Sequence, residues 1–349
     1  MARASRQNPA IREFILRNVE ENPSSITTAT VTEFGLSRTA INRYMKRLID
    51  EGLIEATGKT NARRYKLKKI VNLVFEIESI TKSSSEDTIW RFRVLPYVKD
   101  IPQNVINICQ YGFTEIFNNL IDHSLSDVAL VSYEQTYTHV AMKIVDEGVG
   151  IFQKIQNDFG LPDSRTALLE LSKGKLTSDK EHHAGQGIFF TSRMFDEFMI
   201  RSGNLSYRKR REDSDEWLIE TAGISEPIKG TVVDLIIATD ANWTTREVFN
   251  KYQGADISFL KTHIPIKLGN YPGEQLVSRS QAKRILARFE EFTEIILDFE
   301  GVEDIGQPFA DEIFRVFPLN HPEIKFLVNR TNENVDQMIE HVLGSAENN

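Results

Sequence analysis

Apolar positions recur along this chain with a different rhythm in each of its parts. Ile11, Phe14, Ile15 and Val19 repeat at the three-to-four spacing of one helical face. The stretch TTATVTEFGLSRTAINRYMKRLIDEG predicts a short helix ending near Phe34, a turn at Gly35, and a second helix capped by Ser37 and closed by Gly52. Ile41, Met45, Leu48 and Ile49 form its apolar stripe, and Arg38, Asn42, Arg43 and Lys46 fall largely away from it. LIEATGKTNARRYKLKK then reads as two strands around a Lys59–Arg64 tip. Further on, a helix is predicted from about Gln103 to Ser124, followed by a buried strand over Val140–Val145 that runs into a glycine turn. A long polar helix-to-loop passage leads to HHAGQGIFFTSRMFDEF. Strand-like runs follow in FMIRSGNL and EWLIETAG, then a buried strand, GTVVDLIIATD, opened by Gly230-Thr231. The last part reads helix, strand, helix, strand, helix. There Ile285, Leu286 and Phe289 begin an apolar face, and Ile295–Phe299 is one continuous buried strand.

Polar turn formers at Ser83–Asp87 and the stretch KYQGADISF punctuate this order. They give domains at 1–70, at 71–254 with a core over 100–240, and at 255–349. A length of 349 residues likewise exceeds one typical core. Strands and helices alternate without a strict βαβ rhythm, so the expected class is multidomain α+β. No run approaches the roughly 18–20 apolar residues of a membrane span. The basic start, MARASRQNPAIREF, lacks the apolar core of a secretory signal. The single cysteine, Cys109, sits in an apolar helical pattern, which excludes a disulfide framework and a cysteine-based zinc site. A cytoplasmic protein without membrane contact is expected. Charge divides the chain more sharply than composition does. Residues 1–70 carry 14 Lys/Arg against 7 Asp/Glu, whereas the whole chain is −8, so a +7 head sits on a −15 body. That asymmetry is expected of an appended nucleic-acid module.

The head resembles a winged helix-turn-helix. In that family the third helix enters the major groove and the hairpin wing follows the backbone. The resemblance implies that Arg38, Asn42, Arg43 and Lys46 face base edges and phosphates, and that Lys59, Arg63 and Arg64 reach the backbone. A solvated basic face on a protein-binding winged helix is the alternative.

Three further pieces recur in order: Glu115-x3-Asn119, Asp146-x-Gly148-x-Gly150 and Gly185-Gln186-Gly187-Ile188. Each alone is common; Glu115 and Asn119 simply share one helix face at i,i+4. Together they resemble the GHKL ATP-binding fold, a Bergerat-type α/β sandwich, and NNLIDHS and GQGIFFTSRMFDEF are most similar to its anti-sigma factor kinase members. The resemblance implies ATP with Mg²⁺ as ligands. It implies Asn119 as the magnesium ligand, Glu115 as the water-activating carboxylate and Asp146 as acceptor from the adenine amino group. Gly148 and Gly150 would pass under base and ribose, Gly185 to Ile188 would cradle phosphates, and Thr231 would lie near the adenine. LSKGKLTSDKEHHAG would be the ATP lid, with Lys173, Lys175 and Lys180 as candidate phosphate contacts. His123 would be structural or phosphate-adjacent. His182-His183 lacks further spaced ligands for a metal. The family's extra leading glycine is replaced here by Ala184 or His183.

The C-terminal part resembles a STAS-like domain, the fold of anti-anti-sigma factors. Its aligned turn, Gly306-Gln307-Pro308, holds no Ser or Thr, so a docking module is expected rather than a phospho-switch. Three functions follow as expectations. The first is an ATP-controlled DNA-binding transcriptional regulator with a protein partner on its STAS-like domain. The alternatives are a Ser/Thr protein kinase of the anti-sigma type, or an ATPase in a defence or toxin–antitoxin system that uses the winged helix as a protein adaptor. Slow ATP turnover and homodimer formation stay open.

Overall fold

The computed structural model describes residues 8–59, 62–81, 83–175, 186–211, 216–220 (backbone), 227–252, 261–271 and 274–344. Three sheets organise them. The first is a two-stranded hairpin behind three helices: α1 (Pro9–Asn18), α2 (Ile26–Phe34) and α3 (Arg38–Asp50), then antiparallel β1 (Ile54–Thr57) and β2 (Arg64–Leu67). The turn between α2 and α3 forms because Gly35 adopts φ +63°, and Ser37 accepts from the Ala40 N–H to start α3. Ile11, Ile15, Leu16, Val19, Ile41, Met45 and Leu48 close a core of their own.

The second sheet has seven strands. Its elements are β3 (Val71–Glu78), α4 (Glu86–Ile89), α5 (Gln103–Asn119), β4 (Val128–Gln135), β5 (His139–Asp146), α6 (Ile151–Phe159), α7 (Ser164–Lys173), α8 (Gly187–Met194), β6 (Glu197–Gly203), β7 (Leu205–Arg210), β8 (Glu216–Glu220), β9 (Ile228–Ala238) and α9 (Thr245–Tyr252). The order is β3-β4-β5-β9-β6-β7-β8, with every neighbouring pair antiparallel. Along β4 and β5 burial alternates with period two, so Val131, Tyr133, Val140, Met142 and Ile144 face the helices. The opposite face is polar, with Asp234 bridging Lys143 at 3.2 Å and Arg201 at 2.9 Å. The predicted helix over 103–124 is present, but its last turn, Leu120–Ser124, is π-helical and ends on Leu125 at φ +59°.

The third sheet is parallel, in the order β10 (Lys261–Pro265), β11 (Glu294–Asp298), β12 (Lys325–Asn329). α10 (Arg279–Leu286) crosses from β10 to β11, α11 (Gln307–Asp311) and α12 (Phe317–Asn320) lie before β12, and α13 (Glu333–Gly344) follows it. β10 has no counterpart in the sequence reading, because its five residues carry neither clear alternation nor flanking turn signals.

The second and third sheets share one continuous hydrophobic core, whereas the N-terminal core is separate. α7 is the element that joins them. It packs on β10 and on the 3-10 turn at Ile266–Gly269, and Thr166 to Lys173 are all buried. No helix among the described residues is long and apolar enough to cross a membrane.

Candidate functional site

α5 carries its apolar residues toward the sheet and its polar ones toward a cavity between α5, α6 and the β5–β9 strand pair. Asn119, His123, Asp146, Gly150, Lys154, Ile188 and Thr231 all line it, among apolar walls that include Ile116, Ile144, Ile155, Phe159 and Val233. The cavity encloses about 800 Å³ of empty space, part of it open to solvent. Residues spread over more than a hundred positions are thus brought to one place.

Asp146 ends β5 opposite Thr231 of β9 in the antiparallel register. Its side chain is 6% exposed. The Gly148 N–H donates to its Oδ1 at 2.9 Å, and Thr231 donates to it through both hydroxyl and backbone. Burial raises the Asp146 pKa above the ordinary carboxylate value, with these donors pulling the other way. The Thr231 Oγ1 in turn accepts from the Ile151 N–H at 3.0 Å, fixing the first turn of α6. Asn119, which also lines the cavity, closes α5. Its side chain makes no hydrogen bond to any described residue, which leaves both amide ends available to a ligand.

The loop glycines are needed for reasons of packing. A Cβ on Gly148 would run into the Ser124 carbonyl, and Val149 N–H donates to that same carbonyl at 2.9 Å. Gly150 has φ +82°, and a Cβ there would meet the Ser202 hydroxyl. Both glycines make room for the end of the α5 extension and for β6, and Gly150 also lines the cavity. Gly187 opens α8, and a Cβ on it would strike the Glu115 carboxylate. Glu115 thus packs against the start of α8 instead of lining the cavity. Gln186 precedes that helix as its cap residue. Gly185, Lys180 and His182-His183 lie outside the described residues.

Lys173 is a correction. Expected to meet phosphates from a mobile lid, it is fully buried at the end of α7. Its Nζ pairs with Glu170 at 2.5 Å, donates to the Ala287 carbonyl at 2.8 Å and lies 5.5 Å from the centre of the Phe289 ring. Arg288 joins Glu170 at 3.2 Å. Burial lowers the Lys173 pKa while Glu170 opposes that fall. Lys175 points the same way, donating to the Glu291 carbonyl and lying 4.8 Å from the Phe292 ring centre. Both lysines anchor α7 to the C-terminal domain because Ala287, Phe289 and Glu291 fold back over its end.

The sequence reading gave α6 only as part of a helix-to-loop passage and named none of its residues at the cavity. Its residues Lys154, Ile155, Asp158 and Phe159 line the cavity, with Lys154 held by both oxygens of Asp158 at 2.7 Å. The signal was present in IFQKIQNDF, where Ile151, Ile155 and Phe159 recur at helical spacing.

In the N-terminal domain Arg38, Asn42, Arg43 and Lys46 are all exposed on α3, opposite Ile41, Met45 and Leu48. Arg38, Arg43 and Lys46 form no ion pair among the described residues. Arg47, one position on, is turned aside to Glu51 at 2.8 Å. Lys59, Arg63 and Arg64 are exposed at the hairpin, with Arg63 5.2 Å from the centre of the Tyr65 ring. The buried Cys109 thiol is pushed up to about 12, as befits a small core residue.

No curated protein matches the chain. Two family models match parts of it, and neither reaches residues 71–254. Residues 281–336, from α10 into α13, match a STAS-like domain of unknown function. Residues 15–55, which contain α2 and α3, match the winged helix-turn-helix DNA-binding family, so the chain joins a head similar to DNA-binding domains to a STAS-like C-terminal part.

Proposed function

We propose that the central domain holds an adenine nucleotide in the cavity of Asn119 and Asp146, in the manner of the GHKL fold it resembles. The chain is then a nucleotide-responsive regulator that acts on DNA through its N-terminal domain. One observation carries this reading: a buried carboxylate and an unengaged amide line one mostly apolar cavity. The carboxylate suits an exocyclic amine, and the apolar walls suit a flat base. On this reading Asn119, His123 and Lys154, which also line the cavity, are the groups for the phosphate chain.

Magnesium fits as an ion brought by the phosphates. It takes few protein ligands and keeps several waters, the Asn119 carbonyl oxygen is such a ligand, and no cluster of three His, Cys, Asp or Glu gathers among the described residues. It would neutralise phosphate charge. Glu115 packs under Gly187, the residue before the cavity-lining Ile188.

Calorimetric titration of the full chain with Mg·ATP tests the reading. Binding is expected in the wild type and is weakened at least tenfold in both Asp146→Asn and Asn119→Ala. The first removes the acceptor's charge and sets an NH2 among the Gly148 and Thr231 donors, and the second removes the magnesium ligand. Absence of binding by any adenine nucleotide, or binding indifferent to both substitutions, rejects it.

A further inference from the structure

A second concave site lies where the central domain meets the C-terminal sheet. Arg193 from the last turn of α8, Lys209, Arg210 and Arg211 at the end of β7, Lys251 of α9 and Lys261 of β10 line one cavity. Glu247 is the only carboxylate among its described lining residues. It is committed to the start of α9, accepting from the Thr244 N–H at 2.7 Å and hydroxyl at 3.0 Å. Acidic groups also stand near these cations, Glu197 at 3.4 Å from Arg210, Glu294 paired with Lys261, and Asp196 and Glu247 favouring the charged form of Arg211.

Aromatic rings fix the deeper cations. The Arg193 guanidinium lies 3.4 Å from the Phe189 ring centre and 5.4 Å from that of Tyr252. Arg211 lies 3.8 Å from the Trp243 ring centre and donates to the Arg193 carbonyl at 2.8 Å. Lys251 stands 5.8 Å from the Tyr252 ring centre. Burial opposes ionisation of the Tyr252 phenol, yet Arg193, Lys251 and Lys209 together hold its pKa below the ordinary value. The field at the Tyr252 phenol is therefore positive. Six cations lining one partly enclosed concavity make it a place where an anion is favoured. The facing β10–β12 surface adds the imidazole of His263, set by Asp298 at 2.8 Å, and the side chain of Asn329.

We propose that this interdomain groove is a binding site for a compact phosphate-bearing anion, bridged between Arg193, Lys209, Arg211 and Lys251 on one side and the C-terminal sheet on the other. Depth favours a compact ligand over a nucleic-acid duplex. Arg193 is only 5% exposed, at the floor of a concavity that a duplex backbone does not enter. Guanidinium groups fixed against rings present a planar donor set suited to phosphate oxygens. The site stands apart from the proposed nucleotide cavity and does not depend on it. α8 nonetheless touches both, with Ile188 at the first and Arg193 at the second, about 8 Å along the helix.

The test is titration of the full chain with inorganic pyrophosphate in phosphate-free buffer. It compares the wild type, the double variant Lys209→Ala/Lys251→Ala and Asn119→Ala, with thermal melting as a check on folding. The proposal expects the double variant to bind at least tenfold more weakly, from loss of two charge-assisted contacts, with unchanged melting, and Asn119→Ala to bind as the wild type does. It is overturned if the wild type takes no pyrophosphate, if the double variant binds equally well, or if only Asn119→Ala loses binding. Loss of duplex DNA affinity in the double variant, in a wild type that ignores pyrophosphate, overturns it in favour of a nucleic-acid surface.

Discussion

Replacing Lys173 by methionine probes the joint between the central and C-terminal domains. Methionine keeps most of the volume and removes the ammonium. The Lys173 and Glu170 side chains are 0% and 3% exposed, so no water replaces the lost partner. Removing one member of a buried pair costs about 3–5 kcal/mol. Here Arg288 still reaches Glu170 at 3.2 Å, which places the loss near the lower figure. The Ala287 carbonyl also loses a donor, worth about 1 kcal/mol. The expected total of about 3–4 kcal/mol corresponds to a fall in melting temperature of roughly 6–16 °C for a unit of this size. Differential scanning calorimetry reads it. The double variant Lys173→Met/Glu170→Leu removes the stranded carboxylate. Arg288 then keeps Glu291 at 2.7 Å and the Lys175 carbonyl at 2.6 Å, so most of the lost stability returns. A single variant that melts within about 2 °C of the wild type, or a double variant that costs the sum of the two singles, refutes the reasoning.

Other consequences follow from the site and the head. Because the Asp146 pKa is raised, the folded chain holds a proton there that the unfolded chain has released, so this group's contribution to stability falls as pH rises from the ordinary aspartate value through the raised one. If the cavity holds a nucleotide as proposed, its affinity, which needs the ionised acceptor, rises over the same window, and Asp146→Asn flattens the affinity profile in calorimetry across that range. Gly150→Ala forces a Cβ onto a residue at φ +82° beside Ser202 and is expected to cost about 1–3 kcal/mol in urea unfolding, whereas Gly160→Ala, with a similar φ but open space around it, costs less. If Lys46 meets a phosphate, Lys46→Ala lowers the slope of log affinity against log salt for duplex DNA by about 1; an unchanged slope places α3 elsewhere.

Most of the local structure was legible because it is written at short range. Gly35, Ser37 and the Ile41–Met45–Leu48 stripe define α3 within fifteen residues, and the last turns of α5 and β5 carry Asn119 and Asp146 on spacings that fix their faces. The order of the large sheet was not legible. β9 inserts between β5 and β6, and the Asp146–Thr231 contact at the heart of the site depends on that pairing across 85 positions. Lys173 shows the same limit from the other side. LSKGK is polar enough to pass for a loop, and only a partner more than a hundred residues away makes its lysine a buried one. The Glu170 partner is only three positions away, but the backbone that buries the pair is not, and sequence pattern gives no sign of it.

Two kinds of joint in this chain have very different strengths, and that difference bears on how a ligand could be felt at DNA. α7 offers Leu171 to the central cavity. Two residues later, Lys173 is gripped by the C-terminal domain, and its carbonyl accepts from Thr262 at 2.7 Å. Any shift of α7 on ligand entry must therefore be matched in β10 and the Ala287–Glu291 turn, with no phospho-acceptor at Gly306-Gln307-Pro308 required. The N-terminal domain has a separate core. It meets the central domain through partly exposed pairs, Arg17–Asp240 at 2.5 Å, Lys69–Glu134 and Glu20–His139 at 3.9 Å, through Arg12 at 5.6 Å from the Tyr137 ring centre, and through the Ile70 N–H, which donates to the Gln135 carbonyl at 2.7 Å. Exposed pairs of this kind contribute about 0–1 kcal/mol. A ligand moves an equilibrium only by its differential affinity for the two states, so a weak joint is the one that a modest difference can open. Arg17→Ala is accordingly expected to leave the melting of the central and C-terminal core unchanged while loosening the coupling between nucleotide and DNA affinity. A loss of core stability in that variant would mean the head is an integral part of the fold.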